Sequence, residues 1–209
     1  SITEEDAVIT ECRALGVNAQ AAPADICQKD QVESMVQRAL AHYGHINILV
    51  NNAGIFPVAP LLEITEQQWD QVIDVNLKGT FLVTQAVAKY AMAPQQAGRI
   101  INISSMDGRL PSAGVAHYAA AKAGVISLTR SFALELSGYN IIANTVAPGW
   151  VESAAVLKGD RWQEAVKKVP LGRLGKLAEI AEVVLFLADD AVSYINGATL
   201  NVNGGLLMD

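Results

Sequence analysis

A tyrosine and a lysine four residues apart, Tyr118 and Lys122, are the pair in this sequence best suited to acid–base chemistry. The spacing places both on one face of the helix predicted over residues 116–137. A free tyrosine has a pKa of about 10, and an adjacent ammonium lowers that pKa by favouring the phenolate. The pair is therefore predicted to exchange protons near neutral pH. An exposed tyrosine beside a solvated lysine gives the same spacing, but the small residues of YAAAKAG at 118–124 would let a ligand approach closely.

Small and polar residues also follow three predicted strands, at the point where each strand ends. They are the run NNAG at 51–54, the pair Ser104 and Ser105, and the pair Pro148 and Gly149. One such end alone could be only a tight turn. Three of them in one sheet favour a crevice in which the backbone approaches a bound cofactor.

Apolar runs and helical periodicity alternate along the chain. Helices are predicted over residues 3–15, 30–43, from Thr65, over 77–92, 116–137 and 176–188, and strands over 17–24, 46–51, 99–104, 140–147 and 198–202. This alternation predicts an α/β fold, with a doubly wound, mostly parallel sheet in three layers. Ligands of such sheets bind beyond the carboxyl ends of the strands, where the small and polar residues lie.

The composition excludes several other classes of protein. The 209 residues suit a single domain, and 51% of them are apolar. The net charge of −6 is dispersed without a basic stripe, so no nucleic-acid partner is expected. No apolar run reaches the roughly 18 residues of a membrane span, and no signal peptide precedes the first predicted helix, so a cytoplasmic protein is expected. Cys12 and Cys27 belong to no CxxC or Cys/His cluster, so no metal site is expected.

Together the motifs resemble the short-chain dehydrogenase/reductase family in order and spacing across nearly the whole chain. The matching pieces are NNAG at 51–54, Asn76 within VNLKG at 75–79, Ser105 thirteen residues before Tyr118, YAAAKAG at 118–124, PGWVES at 148–153 and VNGG at 202–205. The resemblance implies a Rossmann-like fold and an NAD- or NADP-dependent oxidoreductase that interconverts a ketone and a secondary alcohol. In length and C-terminal end, the chain is most similar to the β-ketoacyl carrier-protein reductase branch.

The resemblance also assigns roles to individual residues. Tyr118 is the acid/base, and Lys122 lowers its pKa and binds the nicotinamide ribose. Ser105 donates a hydrogen bond to the substrate carbonyl, and Asn76 holds a water that links Lys122 to solvent. The residues expected to contact the cofactor are Asp25 and Ile26 at the adenine, Asn51, Ala53 and Gly54 after the strand at 46–51, and Pro148, Gly149, Val151 and Ser153 at the nicotinamide, together with Tyr118 and Lys122.

Members of the family begin with a strand and a TGxxxGxG loop, which binds the cofactor pyrophosphate at a helix N-terminus. No such loop occurs in these 209 residues, and residue 1 aligns just after the family's second strand. The resemblance therefore predicts a single NAD(P)-binding domain over 1–209 that is N-terminally incomplete. Its first two strands would be absent from this chain and present in a longer parent. The residue that selects NAD or NADP would lie in that absent part.

Two substrate classes fit this interpretation: a 3-oxoacyl thioester, or a small polyol, sugar or other carbonyl compound. Carrier-protein reductases bind an acidic carrier through basic residues near the strands at 99 and 140. This chain instead has PQQAG at 94–98 and Tyr139–Asn140, and a neutral surface gives an acidic protein no steering. The alternatives are a catalytically inactive nucleotide-binding relative and a truncated product.

Two further expectations concern surfaces. The helices at 77–92 and 116–137 carry apolar residues on more than one face, which predicts a homotetramer or homodimer. Residues 153–169 are predicted to form a lid of one or two short helices over the substrate. The residues expected to make that pocket partly apolar are Phe56, Met106, Trp150, Leu157 and Trp162.

Overall fold

The structure, a computed structural model, describes residues 7–208. Its helices are α1 (Ala7–Ala14), α2 (Lys29–Tyr43), α3 (Glu66–Ile73), α4 (Gly79–Val87), α5 (Ala93–Gln95), α6 (Ala116–Leu136), α7 (Ala154–Leu157), α8 (Arg161–Val166) and α9 (Leu177–Ala188). Its strands are β1 (Ile48–Asn51), β2 (Gly98–Ile103), β3 (Ile141–Pro148) and β4 (Thr199–Val202). None of the described helices is both long and apolar enough to cross a membrane.

The four strands form one parallel sheet in the order β1-β2-β3-β4. Alternate residues of each strand point to opposite faces of the sheet, so both faces present apolar side chains. Different helices pack on the two faces. Ile100 of β2 packs in a core with residues of α2, α4 and α6, whereas the next residue, Ile101, packs with α9. The predicted α/β fold with a parallel sheet in three layers is therefore confirmed.

The prediction of a strand over residues 17–24 is wrong, since no regular structure forms there. A strand is stable only when a neighbour completes its hydrogen-bond ladder, and β1 pairs with β2. Side chains bind two carbonyl groups of the segment instead. Arg13 Nε donates to the Ala19 oxygen at 3.0 Å, and Arg38 Nη2 donates to the Pro23 oxygen at 3.2 Å.

The two helices predicted from Thr65 and over 77–92 form one continuous helical segment. Thr65 caps it in a capping box, with Gln68 N donating to Thr65 Oγ1 at 3.2 Å and Thr65 N donating to Gln68 Oε1 at 3.0 Å. Two π-helical turns, Asp74–Lys78 and Ala88–Met92, interrupt the α-helical pattern without breaking the segment. Such turns shift the direction of the side chains that follow and are frequent at functional sites.

A buried polar network crosses the sheet beneath the strand ends. Asn51 Nδ2 donates to Asn102 Oδ1 and Thr84 Oγ1, both at 2.8 Å. Asn102 Nδ2 in turn donates to Thr129 Oγ1 at 2.8 Å, and Thr129 donates to the Val125 oxygen at 2.7 Å. The network connects β1 and β2 to α4 and α6, so it fixes the strand ends relative to the helices that flank the site.

Candidate active site

The tyrosine–lysine pair lies on the first two turns of α6, beside the end of β2. Lys122 Nζ is 5.7 Å from the centre of the Tyr118 ring and donates to the Ile103 oxygen at 2.8 Å. Ser104 Oγ donates to the Lys122 oxygen at 2.8 Å, which attaches the strand end to the helix. The ammonium group is thus fixed by backbone geometry, and it lies beside the tyrosine ring.

Burial dominates the protonation of both groups. It lowers the pKa of Lys122 from 10.5 to about 8. It also raises the pKa of Tyr118 from 10.0 to about 12, with a smaller contribution from the charge of Asp107, while a hydrogen bond with Ser105 opposes the rise. The net pKa of Tyr118 therefore lies above its ordinary value. The expected lowering of this pKa by Lys122 stays a prediction, and the ammonium group donates to the Ile103 carbonyl.

Asn76 is fully buried in the first π-helical turn and holds the loop after β1 in place. Its Nδ2 donates to the Ile55 and Val72 oxygens, each at 2.9 Å, and its Oδ1 accepts from Ile55 N at 3.2 Å. A Cβ added to Gly54 would lie 2.6 Å from Asn76 Oδ1, so only glycine fits at that position of the loop. The role predicted for Asn76, which is to hold a water that links Lys122 to solvent, stays a prediction.

A cleft of about 480 Å³ opens beyond the strand ends, where the sequence predicts a ligand crevice. The predicted residues that line it are Gly54, Asn76, Ser105, Tyr118, Lys122, Pro148, Gly149 and Val151. Its other walls are mostly apolar. This volume and character suit a bound organic molecule.

The remaining predicted cofactor residues do not line this cleft. Asn51 points into the buried polar network, and Asn52, not Ala53, lines the cleft beside Gly54. Ser153 caps α7 by accepting from Val156 N at 3.3 Å. These side chains are occupied by local structure, which the motif alone does not reveal.

The two residues predicted to contact the adenine also serve local structure. Asp25 is exposed, and its Oδ1 accepts from Cys27 N at 2.9 Å in a turn before α2. Ile26 lies so close to the long helix that a Cβ on Gly79 would be 2.7 Å from its Cδ1. Neither residue lines the cleft, so their contact with an adenine stays a prediction.

One wall of the cleft comes from α9, which the sequence analysis did not assign to the site. The lining residues are Leu177, Ile180, Ala181 and Val184. Their spacing of i, i+3, i+4 and i+7 is that of one apolar helix face. The pattern was therefore visible in the sequence, but it does not distinguish a face that packs on the sheet from one that borders a ligand.

A second cavity, of about 190 Å³, meets the cleft. The residues that line both are Phe56, Ser105, Tyr118, Gly149 and Val156. Phe56, Met106 and Trp150 line the second cavity as predicted. Leu157 and Trp162 do not, and Leu157 is 49% exposed, so their assignment to the pocket is wrong. These two residues belong to α7 and α8, the two short helices predicted as a lid.

Two charged residues of this cavity were missed by the sequence analysis. Arg161, the first residue of α8, lies over the Trp150 ring at 5.9 Å and donates to the Ala113 oxygen at 2.9 Å. Asp107 lies on the turn Met106–Gly108 that follows Ser105. Neither residue is part of a recognisable motif. Only the fold brings them to the cavity that Ser105 and Tyr118 line.

The cleft fits the nicotinamide nucleoside half of a dinucleotide. Lys122 Nζ and the Tyr118 hydroxyl are donors suited to ribose hydroxyl groups, and the apolar side chains of Ile103 and Val151 suit a flat, weakly polar ring. Gly149, which also lines the cleft, lets the end of β3 pack closely against Asn203, because a Cβ there would be 2.7 Å from Asn203 Cβ. In the part of the chain that the structure describes, no cluster of metal-binding side chains occurs.

Comparisons with known proteins give consistent results. Residues 2–207 match a family model described as enoyl-(acyl carrier protein) reductase. The chain is 42% identical over 205 residues to the 3-oxoacyl-[acyl-carrier-protein] reductase FabG of Thermotoga maritima, covering 97% of this chain and 83% of that protein. The FabG of Staphylococcus aureus gives the same values. The 3-oxoacyl-[acyl-carrier-protein] reductase of Synechocystis is 41% identical over 209 residues, which are 100% of this chain and 84% of that protein.

Proposed function

This chain belongs to the short-chain dehydrogenase/reductase family of nicotinamide-dependent oxidoreductases acting on CH–OH groups, and from that premise we propose that it reduces a 3-oxoacyl thioester to the 3-hydroxyacyl thioester. The observation that carries the proposal is the meeting of the two cavities at Ser105 and Tyr118. A cofactor in the cleft and a ketone in the smaller cavity would face each other across these two hydroxyl groups. The names of the relatives favour the thioester among ketones.

The side chains divide the work at the substrate oxygen. Ser105 and Tyr118 both donate hydrogen bonds to a carbonyl oxygen placed between them, and these bonds strengthen as negative charge develops. Tyr118 then gives its proton to that oxygen. It is protonated at neutral pH, and burial, which raises its pKa to about 12, extends the protonated form to more alkaline pH. The nicotinamide, when bound, supplies the hydride.

Lys122 has two roles in this scheme. Its ammonium, held on the Ile103 carbonyl at 2.8 Å, supplies a donor for the ribose hydroxyls. Its positive charge also lies beside the phenol at the moment the phenol loses a proton. Because its pKa is about 8, the ammonium form declines above that pH, and the reduction rate should decline with it.

A small polyol, sugar or other carbonyl compound is the second candidate substrate. Two observations favour it. Asp107 and Arg161 give the substrate cavity a polar edge that a hydrocarbon chain does not need. The exposed surface at Tyr139 and the run at 94–98 also offers no basic residue to an acidic carrier protein.

The remaining parts of the proposal concern the cofactor and the assembly. NAD and NADP are both candidates, and residues 1–209 act as one NAD(P)-binding domain in the cytoplasm. A homotetramer or homodimer would form through a groove between the long helix and α6, lined by Ile73, Leu77, Lys78, Phe81, Gly124, Ser127, Leu128 and Ser131.

The test is a substrate and cofactor matrix followed by the near-ultraviolet absorbance of the reduced nicotinamide. Acetoacetyl thioesters of coenzyme A and of a carrier protein are compared with small ketones, sugars and polyols, each with NADH and NADPH or the oxidised forms. Turnover of the thioesters at the highest kcat/KM supports the proposal, and preferential turnover of sugars or polyols supports the second candidate. Absence of turnover in every combination, from a protein whose fold is intact, would overturn both.

A further inference from the structure

Asp107 is bound on three sides by the segment that carries the catalytic serine. Ser105 Oγ donates to Asp107 Oδ2 at 3.3 Å, and Asp107 N donates back to Ser105 Oγ at 3.1 Å. The other carboxylate oxygen, Oδ1, accepts a hydrogen bond from Ser112 Oγ. The carboxylate also lines the substrate cavity together with Tyr118.

The two hydroxyl groups bind Asp107 unequally. An O–H···O⁻ hydrogen bond is usually about 2.5–2.7 Å long, so the bond from Ser105, at 3.3 Å, is weak. Ser112 therefore anchors the carboxylate, while Ser105 is only oriented by it. A hydroxyl held this way keeps a defined direction and can still give its hydrogen to a stronger acceptor.

We propose that Asp107 is a positioning residue for the reaction, which orients the Ser105 hydroxyl and places a negative charge near the Tyr118 phenol. The inference rests on the proposed ketone reduction. A carbonyl oxygen that enters the cavity takes the Ser105 hydrogen from Asp107, while the backbone N–H of Asp107 keeps the serine oxygen in place. The nearby carboxylate disfavours the phenolate, so Tyr118 remains the proton donor that reduction requires.

The electrostatic part of this role has a defined direction. The charge of Asp107 raises the pKa of Tyr118 in addition to the effect of burial. The other ionisable side chains lining the two cavities, among the residues described, are Lys122 and Arg161. Both are cations and would favour the phenolate, so Asp107 provides the anionic charge that opposes them at this site.

The first test uses Asp107→Asn, which keeps the shape of the side chain and removes its charge. The pH at which alcohol oxidation reaches half its maximal kcat should fall by about half a unit or more, because the phenolate forms more easily. Ser112→Ala is the matched control, since it removes the anchor but leaves the charge. It should reduce kcat with the pH profile unmoved. Superimposable profiles for the parent and Asp107→Asn would overturn the proposal.

A second readout needs no turnover, so it separates this inference from the proposed function. Fluorotyrosine is incorporated, the signal of residue 118 is assigned by its absence in Tyr118→Phe, and its titration is followed by fluorine NMR. The signal should titrate at lower pH in Asp107→Asn, or in Asp107→Ser if the asparagine variant does not fold, than in the parent. An unchanged titration would overturn the proposal whatever substrate the protein uses.

Discussion

In the proposed mechanism, Tyr118 acts as acid and base through one hydroxyl group, so Tyr118→Phe isolates that role. The ring keeps its packing beside Phe56, whose centre is 6.1 Å from the ring. General acid–base catalysis typically contributes a factor of about 10² to 10⁴, and kcat should fall by that factor without a change in the thermal midpoint. A kcat close to that of the parent would show that another group donates the proton.

In the proposed mechanism Lys122 is required for turnover, while its burial lowers the stability of the fold. Its pKa of about 8 in the folded protein lies below the ordinary 10.5 of an unfolded chain, so the unfolded state binds more protons between these values. Burial of the charged Lys122 therefore lowers the free energy of unfolding by its full amount below pH 8. This loss disappears as the pH rises from 8 through 10.5.

Replacement of Lys122 by methionine should therefore abolish turnover and stabilise the fold at pH 7. The gain in the free energy of unfolding should be about 2 kcal/mol, somewhat less than the pKa shift implies, because the bond to the Ile103 carbonyl is also lost. Urea unfolding at pH 7 and pH 10 measures it, and the gain should be smaller at pH 10. A destabilised Lys122→Met variant at pH 7 would contradict this account.

Arg161 connects two elements that border the second cavity, in which the substrate is proposed to bind. It belongs to α8, yet it binds the loop before α6 through the Ala113 oxygen and stacks over Trp150. Arg161→Ala should free the lid, raising KM by about three- to tenfold with a smaller change in kcat. Arg161→Lys is the control, because it retains the charge but neither the planar stacking nor the fork of donors. An unchanged KM in the alanine variant would mean that α8 is held by its other contacts.

The order of helices and strands after residue 29 could be predicted from the sequence because each element carries its own periodicity. The π-helical turn around Asn76 could not be predicted in this way. Such a turn adds about one residue to the helix, and the apolar periodicity of a sequence does not define positions that closely. The segment 17–24 contains only one β-branched residue, Val17, and its alanine, asparagine and proline residues are depleted in strands. A strand also depends on a partner, which the residues of the segment do not specify.

The candidate site was predictable where the motif and the geometry agree. Gly54, Tyr118 and Lys122 line the cleft as the sequence indicates. Asn51 does not, because alternation along β1 sends its side chain into the buried network and leaves Asn52 at the cleft. Asp107 and Arg161 belong to no motif and lie far apart in the sequence. The sequence therefore does not predict that both line the same cavity.

At the scale of the whole molecule, the groove between the long helix and α6 predicts self-association. Phe81 stacks on Phe132 at 6.5 Å and remains 36% exposed, so an apolar surface extends across both helices. Ser127→Arg would place a long charged side chain in this groove without removing any core contact. Light scattering should then report a smaller assembly than for the parent. Gln37→Arg, on the exposed face of α2, is the control and should leave the assembly intact.

The buried network of Asn51, Asn102, Thr84 and Thr129 has a consequence for how this sequence can change over time. Each member satisfies the others, and Asn102, Thr84 and Thr129 are fully buried. Loss of one member leaves its partners unsatisfied at a cost of about 1–3 kcal/mol for each orphaned group, whereas joint replacement by apolar residues avoids that cost. The effects of substitutions at these positions are therefore not additive, which is epistasis. We expect the four residues to be kept together or exchanged together in evolution, because a change at one position alone gives a less stable intermediate protein.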